Sequence, residues 1–273
     1  TAESGAKIES NDEVKFWEAL DLEFQSIINR PHDDYVANPP IINKNAAVFA
    51  SAGNDGGNYQ HYPSSYSNVY CVASSTSNDS RYISSNYGND VDFTAPGDNI
   101  YSTWPNSSYI TNSGTSMACP IAAGAAALVQ AHFNYTNCLQ VVEKLKQTCD
   151  PLTGTDNNTQ ALYSQGKLGK GRIDMYNALT QAAKSVIMNP VTVIDNNDNI
   201  FMPGETLYIS GIFTNYLDAT SGNCTATLTA MPISPGPPVF IDSTTTIGSL
   251  STLGTMNNNT DPFRVTIALN ASI

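Results

Sequence analysis

Charge is scarce in this sequence. Of 273 residues only 13% are Asp, Glu, Lys or Arg, and 24 acidic residues against 12 basic ones leave a net charge of −12. A surface of that sign argues against nucleic acid or anionic membrane as a partner. No apolar run reaches the roughly 18 residues of a transmembrane helix, so no membrane span is expected. Cysteine is sparse as well: Cys71, Cys119, Cys138, Cys149 and Cys224 are too dispersed for a disulfide framework and lack the C-x-x-C spacing of zinc sites. A helix between Cys138 and Cys149 would hold their Cα atoms about 16 Å apart, against the roughly 4.4–6.8 Å of a disulfide. Free, mostly buried thiols are therefore expected. No signal peptide is visible, but the chain starts at Thr1 rather than Met. We expect its true N-terminus to be missing or processed and give that lack no weight.

What is present suits a sizeable core: 41% of the residues are hydrophobic, on a length that accommodates one large domain and a smaller one. Asn, Ser, Thr and Gly fill the surface where charge does not, as suits a secreted or cell-surface protein.

The N-terminal stretch opens with Ser10-Asn11-Asp12-Glu13, a helix-start signal, followed by an approximate amphipathic stripe of Val14, Trp17, Leu20, Leu22, Phe24, Ile27 and Ile28. Pro31, Pro39 and Pro40 make Arg30–Asn45 a loop, in which His32 reads as part of an exposed polar turn. Residues 46–52 form a short continuous apolar run, the mark of a central parallel strand, and it ends in Gly53-Asn54-Asp55-Gly56-Gly57. Standing alone, that exit reads as a turn. Tyr70–Ser74 reads as another buried strand, and His61 lies in a Tyr/Pro/Ser-rich surface loop. Cys138–Thr148 reads as a short amphipathic helix with Leu139, Val142 and Leu145 on one side, and Met175–Ser185 as another helix. The glycines around Gly166–Gly171 do not have the spacing of a phosphate cradle. At Met188-Asn189-Pro190 the pattern changes to alternation, most cleanly Phe263/Val265/Ile267/Leu269, which predicts a small antiparallel β-sandwich over 188–273. Residues Asp195–Asn199 are rich in oxygen donors but lack the Gly and Glu of an EF-hand loop, and read as a plain turn.

One stretch organises the rest: Gly114-Thr115-Ser116-Met117-Ala118-Cys119-Pro120, followed by the apolar run Ile121–Val129. A run apolar on every side predicts a helix buried inside a larger core. Pro120 is then expected in its first turn, where a missing N–H loses no bond. Ser116 would stand at the helix mouth, among free N–H groups that favour negative charge. There it is either an N-cap or a nucleophile.

The phrase Gly-Thr-Ser-Met-Ala-(Ser/Cys)-Pro resembles the nucleophile signature of the subtilisin-like serine proteases, and seven consecutive residues match. Where that family usually has His-Val, Ile121-Ala122 stand. Gly53-Asn54 resembles the family's Ala-Ala-Gly-Asn segment, Arg81–Gly88 and Val91–Gly97 its next two segments, Ile100–Trp104 the strand it places just ahead of the loop to Gly114, and Gly169–Asp174 its closing phrase. The resemblance covers about residues 45–187. It implies an α/β, subtilisin-like three-layer fold with a mostly parallel sheet over 1–187, followed by the β-sandwich, whose Pro203-Gly204-Glu205 and Asn215 turns resemble Ig-like accessory modules. It further implies that Ser116 forms an acyl-enzyme on polypeptide substrates, and that the Asn54 side chain donates to the oxyanion. No cofactor is implied for the chemistry. Structural calcium is common in the family, with no ligand assignable here, and a monomer is expected.

The family's Asp-(Ser/Thr)-Gly and His-Gly-Thr phrases, which carry the carboxylate and the base, occur nowhere in the sequence, and His32, His61 and His132 lack their flanks. Two functions follow as expectations. One is a serine endopeptidase of which this chain is the C-terminal part, inactive alone. The other is a non-catalytic scaffold for binding or adhesion, against which the retained Ser116 and Asn54 speak.

Overall fold

The computed structural model describes residues 46–66, 69–195, 200–220, 222–229 and 239–267. The expectations for residues 1–45, His32 included, and for Asn196–Asn199 fall outside these residues. The chain divides into two compact units, one ending at Gln181 and the other beginning at Ala182.

In the first unit three parallel strands lie side by side in chain order: β1 (Val48–Ser51), β2 (Val69–Ser75) and β3 (Val91–Pro96). Val72 and Phe93, opposite one another in the β2–β3 register, and Ala95 are fully buried. Parallel strands covered on both faces read as apolar runs rather than alternations, which is why β1 and β2 were legible; β3 carries Asp92 and Thr94 and does not read as such a run. A separate hairpin, β4 (Ile100–Trp104) and β5 (Ser108–Asn112), follows, with Tyr101 and Tyr109 stacked at 5.7 Å.

The central helix α1 (Thr115–Phe133) packs its small residues Ala118, Ala122, Ala125 and Ala126, with Val129, onto that sheet. Side chains this short let the helix axis approach the strands closely. The helix ends at Asn134, whose left-handed φ of 52° lets its N–H return to the Gln130 carbonyl. Two expectations are corrected. Only one face of α1 is buried: among the described residues nothing covers Ala123, Gly124, Ala127 or Leu128, and Leu128 is 57% exposed. Pro120 is the sixth helical residue, not a first-turn one, so the Ser116 carbonyl is left without its i+4 donor.

Helix α2 (Cys138–Gln147) starts at Asn137, whose side chain accepts the Leu139 N–H, and it buries Val141, Val142 and Leu145 in the same core. An ion pair fastens it to the sheet. Lys146 Nζ lies 2.7 Å from Asp92 of β3, and the other Asp92 oxygen accepts the Cys71 N–H of β2. A short helix α3 (Thr159–Ser164) precedes the glycine-rich closing segment. There Thr94 N–H donates to Gly171 and Ile173 N–H to Thr94, so this segment runs along β3. Arg172 holds it from outside, with Asp79 at 2.8 Å and Asp150 at 3.1 Å. Helix α4 (Met175–Thr180) is shorter than the sequence predicts. The residues beyond it join the second unit, where Asp218 accepts the Ala183 N–H and Ser185 accepts that of Tyr216.

The second unit is antiparallel. Strand β7 (Thr206–Asn215) is flanked by β6 (Val186–Ile194) on one side and by β11 (Thr255–Asn257) and β12 (Phe263–Thr266) on the other, with β9 (Val239–Asp242) beyond β12. Strands β8 (Cys224–Thr227) and β10 (Thr244–Gly248) form a second sheet. Phe213 and Phe263 of the first sheet meet Ile247 of the second in one apolar cluster, the interior of a β-sandwich.

All five cysteines are free thiols. Burial pushes the Cys71 and Cys149 thiols up to about 12.

Candidate active site

The carboxyl ends of β1 and β3 bring the two sequence-predicted residues together. Just past β3, Gly97 accepts the Gly114 N–H at 2.7 Å and so seats the start of α1 at that edge of the sheet. Just past β1, the chain turns outward at Gly53 and presents Asn54.

Ser116 is not the cap of its helix. Gly114 is, with a φ of 144° that disfavours a side chain, and a Cβ there would lie 3.2 Å from the Asn54 side-chain oxygen. Ser116 is instead the second helical residue, exposed, with its N–H in the first turn. The neighbouring donors are already taken: Thr115 N–H goes to Asn54, and those of Met117 and Ala118 go to the Gly114 carbonyl. The Ser116 N–H is left as a free donor at the positive end of the helix.

Asn54 is held by one side of its carboxamide. Its Oδ1 accepts both the Thr115 N–H at 2.9 Å and the Thr115 hydroxyl at 3.1 Å. With the oxygen fixed, the Nδ2 amino group becomes the outward, donating end. Asn54 thus meets α1 at Thr115, the residue immediately before Ser116. The fully buried Thr115 is a residue to which the sequence pattern assigned no role. Its place beside Ser116 was visible, but its bond partner lies 61 residues away.

A cleft of about 300 Å³ opens beside the serine, lined by Ile100, Ser102, Trp104 and Ile110 of the hairpin and by Met117 and Pro120 of α1. Cys119, one turn on, faces the core with its thiol raised by burial, and so does not compete as a nucleophile. The described histidines do not serve Ser116. His132 sits sixteen residues along α1, about 24 Å away, and packs edge-on against Phe133. His61 is exposed, its ring against the Gly53 backbone and its N–H bonded to Ser65. Among the described residues no three His, Cys, Asp or Glu side chains cluster as a metal site.

The model of the Subtilase family, Peptidase_S8, matches residues 26–171. Thermitase from Thermoactinomyces vulgaris is 39% identical over 137 residues, which are 50% of this chain and 45% of that protein. Subtilisin BL from Lederbergia lenta is 40% identical over 119 residues, 44% of this chain and 42% of that protein. A thermophilic serine proteinase from Bacillus sp. (strain AK1) is 40% identical over 138 residues, 50% of this chain and 32% of that protein. The chain therefore spans less than half the length of these relatives. The family match itself extends over more than half of the 273 residues, and on it the chain belongs to the subtilase family.

Proposed function

We propose that this chain carries the nucleophile and the oxyanion site of a secreted serine endopeptidase. The observation that supports it is the pair of hydrogen bonds that the Asn54 carboxamide oxygen accepts from Thr115, its N–H and hydroxyl both donating, which brings Asn54 to the residue next to Ser116. Ser116 Oγ attacks the scissile carbonyl, and the carbonyl oxygen, now negative, is met by the Ser116 N–H and Asn54 Nδ2. Collapse expels the amine and leaves the acyl group on Ser116 for water to remove. The cleft beside Met117 and Trp104 accommodates a substrate side chain next to the scissile bond. The base that takes the serine proton, and the carboxylate that orients it, have no counterpart among the described residues. In this reading they come from sequence outside this chain, and the 273 residues alone turn over negligibly. The second unit, read as an Ig-like accessory module, takes no part in the chemistry. A non-catalytic scaffold would need neither the Ser116 hydroxyl nor the Asn54 amide.

The test is peptide-bond hydrolysis by the full-length gene product with and without Ser116→Ala. Loss of hydrolysis and of labelling by a fluorophosphonate supports the reading. Hydrolysis retained in the variant, or absent from the wild type, overturns it.

A further inference from the structure

The loop that presents Asn54 has almost no structure of its own. Gly53 has a φ of 94° and Gly56 a φ of 70°, and glycine, which lacks a Cβ, reaches such conformations and many others at little cost, so something else must hold the chain in them. What holds it is the segment 83–87. Gly56 N–H donates to the Ser84 carbonyl at 2.8 Å, Asn86 N–H to the Gly53 carbonyl at 2.9 Å, and Tyr87 N–H to the Gly57 carbonyl at 3.0 Å. One side chain enters this seam. Asn86 is 1% exposed. Its Oδ1 accepts the Asp55 N–H at 2.8 Å and the Gly57 N–H at 3.4 Å, and its Nδ2 donates to the Asp55 carboxylate at 3.2 Å. That amino group also fills the space above Gly53, where a Cβ would come within 2.5 Å of it. Asn86 therefore contacts the residues on both sides of Asn54. It is anchored in turn by Arg81, which lies over the Tyr87 ring at 5.1 Å and donates to the carbonyls of Tyr82, Ile83 and Ser85.

We propose that Asn86 is a positioning residue for the oxyanion site: its carboxamide fixes the backbone on either side of Asn54, so that Nδ2 of Asn54 is aimed before substrate arrives. The proposal rests on the reading of Asn54 as oxyanion donor. Thr115 fixes the Asn54 side chain from the helix, and Asn86 fixes its main chain from the opposite side. Neither alone determines where the amino group points. Misplacement of a catalytic group by about 1 Å can cost about 10²-fold in rate, the scale on which a slack loop would be felt.

Two measurements test this, one of which needs no turnover. The first is amide hydrogen exchange on the 273-residue chain. Asn86→Ala is expected to speed exchange at Asp55 and Gly57 by tenfold or more, while Gly56, bonded to the Ser84 carbonyl, keeps its protection. Equal loss at Gly56 would mean that the loop simply unfolds, and unchanged exchange at Asp55 would mean that Asn86 does not hold it. Either result overturns the proposal. The double variant Asn86→Asp with Asp55→Asn exchanges the two side chains, re-forms all three bonds and is expected to restore protection. The second measurement is hydrolysis by the full-length gene product. Asn86→Ala is expected to lower kcat by about 10–100-fold with KM changed less than about threefold, and to cost nothing further in an Asn54→Ala background. An equal loss in both backgrounds would show that Asn86 does not act through Asn54. If the wild type shows no Ser116-dependent hydrolysis, the endopeptidase reading fails, and amide exchange alone decides the role of Asn86.

Discussion

Asn54→Asp separates stability from chemistry, because the two ends of the Asn54 carboxamide have different tasks. The substitution keeps the shape and keeps an oxygen where Thr115 donates twice, at 2.9 and 3.1 Å. It converts that oxygen from a neutral to an ionised acceptor at the N-terminus of α1. A negative charge there is worth about 0.3–1 kcal/mol at an exposed helix start. Residue 54 is exposed and the Asp55 carboxylate is its neighbour, so solvent screening and like-charge repulsion take the gain to the lower end. The fold should be stabilised by about 0.3 kcal/mol. The new carboxyl titrates below its unfolded value because the folded state binds its charged form. Its stabilisation is thus present above about pH 4 and is lost as pH falls through the lower, native value. The chemistry moves the opposite way. The amino group that would meet the oxyanion is replaced by an oxygen that repels it, and loss of one such donor costs about 10²–10³ in kcat. Urea denaturation of the 273-residue chain at neutral pH measures the first effect, and hydrolysis by the full-length gene product the second. A variant less stable by more than 1 kcal/mol would show that Oδ1 is not the end bound by Thr115. Turnover within tenfold of the wild type would show that Nδ2 does not meet the oxyanion.

Three further outcomes follow from the geometry. Ser116→Ala removes an exposed hydroxyl and should change stability by less than about 0.5 kcal/mol in urea melts while abolishing hydrolysis. Lys146→Met leaves the Asp92 carboxylate, whose side chain is 20% exposed, without its cation, for about 1–3 kcal/mol of destabilisation at neutral pH, less than a fully buried pair would cost. Burial already raises the Asp92 pKa against the pull of Lys146, and the variant raises it further, so the penalty should vanish at acid pH where Asp92 is protonated and grow as pH rises through its native value. A penalty that does not change with pH would refute this account, as would failure of Asp92→Asn to relieve it. Finally, the Cys71 and Cys149 thiols, pushed up to about 12 by burial, should resist a disulfide reagent at pH 8 in the folded chain and react on unfolding; reaction before unfolding would contradict their burial.

Much of this molecule is legible without coordinates, because its signals are local. The apolar runs that become β1 and most of β2 need no knowledge of their partners, since a strand covered on both faces is largely apolar, whereas β3, with Asp92 and Thr94 in it, was legible by family resemblance alone. The seven-residue phrase around Ser116 and the Gly53-Asn54 exit resemble the subtilase segments by residue type and order. Alternation beyond residue 190 announces a sandwich by the period of its side chains. What depended on tertiary structure is every relation between distant segments. The same apolar run reads as a helix buried all round, whereas the described residues cover α1 on one face alone. Pro120 lies in the second turn because Gly114, not a residue closer to it, caps the helix, and that follows from how Gly114 meets Gly97 and Asn54. The sequence-based domain boundary after residue 187 falls inside β6, since Ala183 and Ser185 find their hydrogen bonds in the second unit. Thr115 and Asn86 were in plain view as residues but not as functions. Their bonds to Asn54 and to its loop join positions 61 and 31 residues apart, and no periodicity along a chain records which distant amide a buried carboxamide will meet.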